Sequence, residues 1–168
     1  YLTKKGYWDK LASPSMNVKN KDGNVYSLPF EDVSYEVIMY NKDIFKKYNL
    51  QTPKTFAELD TVVNVIKRHN ITPISVGAKD GWPGAMMVQG LAYSTNPKST
   101  QEIVEGKGKF TDKAYTTGAT ETKKLLDMGA FTKNVALTGV DAADPWFESG
   151  KAAMLAEGSW ALLQMSHK

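Results

Sequence analysis

Val25-Tyr-Ser-Leu-Pro-Phe-Glu-Asp-Val-Ser-Tyr-Glu-Val-Ile-Met-Tyr-Asn-Lys-Asp43 is the stretch that organises this chain. It follows Lys21-Asp22-Gly23-Asn24, where glycine supplies the backbone freedom a tight reversal needs. Val25, Tyr26 and Leu28 read as a short strand, and Pro29 ends its capacity to donate ladder hydrogen bonds. Val33 to Tyr40, rich in β-branched and aromatic residues, reads as a second strand. Asn41 stops it and offers a side-chain oxygen to the first turn of a helix over Lys42–Tyr48. Between the strands lies an acidic, aromatic break, Phe30-Glu31-Asp32. Such a break sets polar side chains at a strand end, where open α/β sheets bind ligands.

Outward from this stretch, helices alternate with strands, which makes the class α/β. Thr55 and Glu58 form a capping box ahead of Leu59, Val62, Val63 and Ile66, an apolar stripe at helical spacing. Lys67, Arg68 and His69 suit the carboxyl end of that helix. Ile71–Gly77 reads as a buried strand, and the succession predicts a parallel unit. Pro83 belongs in the first turn of a helix running to about Tyr93. Residues 94–110 read as a polar surface loop or small excursion. A helix from about Lys113 to Met128 is weakened by Gly118 and stopped by Gly129. Asp141–Ser149 reads as a helix, with Trp146 assigned to the core. Ala152–Ala156 is a small-residue strand for a crowded sheet centre, and Gly158-Ser159 opens a helix carrying Trp160. Nearer the start, Tyr7, Trp8 and Leu11 suggest a short helix.

The composition narrows the function. At 168 residues the length fits one ordinary domain. Hydrophobic residues at 42% and charged residues at 23% fit a globular protein rather than a disordered chain. A formal charge of +3, from scattered lysines, argues against a nucleic-acid partner. No apolar run approaches the roughly 18 residues of a membrane-spanning helix. Cysteine is absent, which does not fix the compartment. The chain begins at Tyr1 rather than Met, which reads as a boundary within a longer protein.

Few residues suit catalysis. His69 and His167 are the two histidines, one at a helix end and one beside the terminus. No His/Cys cluster has metal-ligand spacing, and Gly106-Lys107-Gly108-Lys109 lacks the flanking strand and helix of a phosphate loop, so no cofactor is implied. Glu31 or Asp32 with Asp80 forms a carboxylate pair that a glycosidase would need, but turn capping explains these acids equally well. Aromatic faces beside polar groups at strand ends are the more informative feature. Asp80-Gly81-Trp82 and Gly158-Ser159-Trp160 each sit at a strand-to-helix turn rather than on an apolar stripe, with core burial as the alternative for both tryptophans. Sugars present apolar C–H patches that stack on such rings and hydroxyl rims that bond to carboxylates and amides. Ser34 and Tyr35 would add contacts from the second strand.

Leu28-Pro29, the acidic break and Tyr40-Asn-Lys-Asp-Ile-Phe45 together resemble the hinge-crossing segment of extracellular solute-binding proteins. The sugar-binding receptors of bacterial ABC importers, the maltodextrin-binding type, are most similar. Pro53-Lys-Thr-Phe-Ala-Glu-Leu59, Asp80-Gly-Trp-Pro83, Phe147-Glu-Ser-Gly-Lys-Ala-Ala-Met154 and Gly158-Ser-Trp-Ala161 follow in the family's order. The resemblance implies a periplasmic-binding-protein-like fold of which residues 1–168 form one lobe: 1–30 approach the hinge and 31–168 make the second lobe. It implies a non-enzymatic receptor for a sugar or oligosaccharide, delivering to an ABC permease. It implies an extracellular or periplasmic location, with a lipoprotein or secretory signal upstream. Its ligand-binding residues would be Glu31, Asp32, Ser34, Tyr35, Asp80, Gly81, Trp82, Gly158 and Trp160. A lobe without its partner would also have a surface for self-association.

Overall fold

A computed structural model describes Asp22 and residues 34–165. The chain divides into two compact units, Tyr1–Tyr35 and Glu36–Lys168. In the first, the described residues are Asp22, in a turn, and the exposed Ser34 and Tyr35. The expected strand at Val25–Leu28, the helix near Tyr7, the acids Glu31 and Asp32, and His167 lie outside the described residues.

The second unit is built on three strands: β1 (Glu36–Tyr40), β2 (Thr72–Ser75) and β3 (Ala152–Gly158), in the order β1-β3-β2. β3 is buried along all seven residues. Its alanines and glycine let both neighbours and the covering helices approach closely. β1 runs antiparallel to β3 with Glu36 opposite Gly158 and Tyr40 opposite Met154. β2 runs parallel to β3 with Thr72 opposite Ala152 and Ser75 opposite Leu155. The parallel unit expected from the succession of the first strand, a helix and Ile71–Gly77 does not form: β1 and β2 run in opposite directions with β3 between them, and the parallel pairing joins β2 to β3, which a long helical crossover separates.

Local signals explain the helices. Asn41 caps α1 (Lys42–Lys47), its side-chain oxygen accepting from the Asp43 and Ile44 amides at 3.0 and 3.1 Å. Thr55 caps α2 (Phe56–Arg68) by accepting from the Glu58 amide at 3.2 Å. Glu58 reaches back one residue further than the usual box and takes the Lys54 amide at 2.6 Å. Leu59, Val62, Val63 and Ile66 are buried as the stripe predicts. They pack with Phe45, Ile74, Met87, Leu91, Leu125 and Met154 into the larger of two cores. Truncating the fully buried Ile66 to Ala would cost about 2–5 kcal/mol.

Three further expectations need correction. Residues 94–110 contain a short helix, α4 (Ser99–Val104), between α3 (Trp82–Thr95) and α5 (Lys113–Asp127). Gly118 does more than weaken α5: a Cβ there would lie 2.5 Å from the Val88 carbonyl oxygen and 2.9 Å from the Ala92 nitrogen of α3. It is the contact that lets the two helices touch. Trp146, on α6 (Val140–Glu148), is not in the core; it is 40% exposed. The helix buries Ala143 instead, which packs with Met39, Leu155 and Ala161 of α7 (Trp160–Met165) in the second core.

Candidate functional site

Because β2 and β3 are parallel neighbours, their carboxyl ends open on the same rim of the sheet. Each end leads to a helix whose first residue is a tryptophan. After β2 the chain passes through a single 3-10 turn, Ala78–Asp80, and then Gly81, whose φ of 78° a side chain would resist. α3 then starts at Trp82, with Pro83 in its first turn. After β3, Ser159 leads to Trp160 at the start of α7. The two indoles meet with centroids 5.7 Å apart and planes tilted by 48°. That spacing lies within the attractive range for aromatic pairs. Trp82 remains 41% exposed and Trp160 is half-buried against the second core.

Gly158 is buried beneath this pair. A Cβ at Gly158 would fall 2.2 Å from two carbons of the Trp160 ring, so only glycine lets the indole lie over the strand end. Trp160 Nε1 donates to Glu157 Oε1 at 3.1 Å. Glu157 is 4% exposed, and its carboxyl is pushed above the usual carboxylate range, mainly by burial. Nearby Asp144 adds to the rise, while the Gly158 amide and the Trp160 indole oppose it. Glu36, across the sheet from Gly158, is also raised by desolvation.

Asp80 stands on the same turn as Trp82 and is exposed, with one carboxylate oxygen engaged by the fold itself. Its Oδ2 accepts the Val140 amide at 2.8 Å, at the amino end of α6. Lys79 donates its amide to the Thr138 carbonyl at 3.0 Å, and Gly77 lies so close to Val140 that a Cβ would sit 2.6 Å from its nitrogen. Ser75 donates to the buried Ala143 carbonyl at 2.8 Å. The turn carrying Trp82 is therefore bolted to α6, which gives the indole a rigid base.

The structure brings Asp80, Gly81, Trp82, Gly158 and Trp160 together on one rim. Ser34 and Tyr35 are exposed, Tyr35 by 66%. Sequence reading missed Glu157, although an acid ending the apolar run Ala152–Ala156 just before Gly158 is a visible anomaly. Among the described residues, no group of three or more His, Cys, Asp or Glu side chains could hold a metal ion. Among them too, no helix is long and apolar enough to cross a membrane.

The sequence profile of bacterial extracellular solute-binding proteins matches residues 2–166. The chain is 29% identical over 168 residues to the multiple sugar-binding protein of Streptococcus mutans, covering 96% of this chain and 40% of that protein. It is 29% identical over 149 residues to an uncharacterized ABC transporter extracellular-binding protein of Pyrococcus horikoshii, covering 83% of this chain and 32% of that protein. A solved chitin oligosaccharide binding protein superposes with a TM-score of 0.84 at 29% identity, over 95% of this chain and 40% of that one. The chain thus spans well under half the length of each.

Proposed function

This chain belongs to the bacterial extracellular solute-binding protein family, and we propose that it forms most of one lobe of a two-lobe receptor for a sugar or oligosaccharide. A member of this family works outside the cytoplasmic membrane, in the periplasm or beyond it. The fold is that of the periplasmic sugar-binding proteins, and the chain corresponds to part of one.

The observation that carries the sugar reading is the indole pair at the shared rim of β2 and β3. Stacking on Trp82 and Trp160 would take the apolar face of a pyranose, and polar groups around the rim would take its hydroxyls. Gly81 and Gly158 shape the backbone under the rings, and Asp80 anchors the turn that holds Trp82. Glu31, Asp32, Ser34 and Tyr35 belong to the proposed polar contacts. A second lobe would close over the ligand by hinge motion, presenting the closed receptor to an ABC permease. The Pyrococcus relative, named for an ABC transporter, supports that partner. Attachment to the membrane through a lipid is part of the same proposal. In this scheme no bond in the ligand breaks.

A glycosidase using Glu31 or Asp32 with Asp80 has no support. Asp80 is occupied in capping α6, and the two relatives named for their ligands are binding proteins.

Calorimetric titration of the full-length receptor with maltotriose, xylotriose, chitotriose and raffinose tests the proposal. Binding of at least one, with the sugar recovered intact, is expected. Binding to none, with tight binding of a peptide or polyamine, would overturn it.

A further inference from the structure

We propose that Glu157 is the positioning residue of this site: its carboxyl group takes the Trp160 indole N–H and locks the ring over Gly158, so that the indole pair meets a ligand in one orientation. The inference rests on the reading of the rim as a sugar site.

Glu157 occupies a place where an acid is costly. It lies in the central strand, between Ala156 and Gly158, and is 4% exposed. Burying a carboxyl group without a cation is unfavourable, and a well-packed apolar residue of similar size is often as stable or more so. No cation figures among the influences on Glu157; the one charged group that does, Asp144 on α6, repels it. One oxygen, Oε1, accepts the indole N–H at 3.1 Å, while Oε2 is buried with no hydrogen-bond partner. An acid kept here at a cost in stability, with its satisfied oxygen spent on the site's aromatic ring, points to a role in the site.

The geometry shows what that role is. The Trp160 ring is held at its nitrogen by Glu157 and along its six-membered edge by the bare backbone of Gly158. On the rim it meets Trp82. The second torsion of a tryptophan side chain has a broad energy well, so without an anchor at Nε1 the indole swings.

The test uses the full-length receptor with Glu157→Gln, which keeps an acceptor oxygen but no charge, and Glu157→Leu, which keeps bulk but no acceptor. Trp160→Ala is the control, and the difference between its near-UV circular dichroism and that of the wild type defines the signal of the ordered indole. Glu157→Leu is expected to lose that signal and to bind the recognised oligosaccharide about tenfold or more weakly. Glu157→Gln is expected to keep the signal and bind about two- to fivefold more weakly, while its unfolding midpoint at pH 7 stays level or rises. A purely structural role would lower the midpoint in step with affinity. Wild-type dichroism in Glu157→Leu overturns the proposal, with or without a bound sugar. If that variant does not fold, wild-type affinity or a lowered midpoint in Glu157→Gln overturns it. Should Trp160→Ala bind sugar like the wild type, the reading of the rim fails instead. If Trp160→Ala loses binding and Glu157→Leu does not, the positioning role fails alone.

Discussion

Among the described residues, two regions carry half-exposed tryptophans, and only one of them looks like a site. Trp82 is 41% exposed and Trp146 is 40% exposed, so accessibility does not separate them. Their partners do. Trp146 sits by the opposite end of the sheet, where its Nε1 donates to Thr72 Oγ1 at 3.2 Å and Lys151 places its ammonium 4.8 Å from the ring centre. Both its polar edge and one face are already used by the fold. Trp82 instead leans on a second indole at the end where the parallel strands β2 and β3 finish. The lesson is that an aromatic ring marks a ligand site through what is left vacant around it and the strand end it stands on.

The largest expected effect comes from breaking the aromatic pair. Trp160→Ala in the full-length receptor should cost about 2 kcal/mol or more of binding free energy, roughly a 30-fold loss of affinity, read by calorimetry. Next, Gly158→Ala leaves the indole in place chemically but drives a methyl into it; about 1–3 kcal/mol of stability should go, measured by urea unfolding, with affinity falling alongside. Asp80→Ala removes the cap of α6 and should cost about 1 kcal/mol of stability. Asp80→Asn, which keeps an acceptor oxygen, should restore most of it. The smallest effect belongs to the far rim: Lys151→Ala should lose no more than about 1 kcal/mol of stability and leave sugar affinity unchanged. A Lys151 variant that binds sugar as poorly as Trp160→Ala would erase the contrast between the two ends.

Acid dependence sharpens the same contrast. Glu157 is raised in the folded state, so folding favours its protonated form. Its contribution to stability is present in full below the unfolded carboxylate value and is lost as pH rises through the higher folded value. Glu157→Gln should therefore flatten the pH profile of the unfolding midpoint above the carboxylate range, whereas Lys151→Ala should not.

Much of the fold was readable because its signals are local. Asn41 and Thr55 cap helices through amides two or three residues away, and the stripe from Leu59 to Ile66 needs only the helical period. The two strand-to-helix turns with their tryptophans were legible for the same reason. What escaped depends on distant partners. Trp146 is set by Thr72, 74 residues earlier in the chain, and Asp80 by Val140, 60 residues later. Gly118 reads as a helix weakness until the backbone of α3 is seen against it. The helix at Ser99–Val104 is six residues long, and no side chain caps its start, so it leaves little trace in the sequence. Glu157 is the exception: its partner is only three residues on, but the sequence alone does not show that the acid one residue short of the end of β3 turns back to that indole.

A crystal structure of the full-length receptor with a bound oligosaccharide tests the sugar-gripping rim most directly. A pyranose ring lying against the indole of Trp160 or Trp82 is expected, with its hydroxyls turned toward the polar groups of the rim. A sugar bound elsewhere, with both indoles untouched, would contradict it.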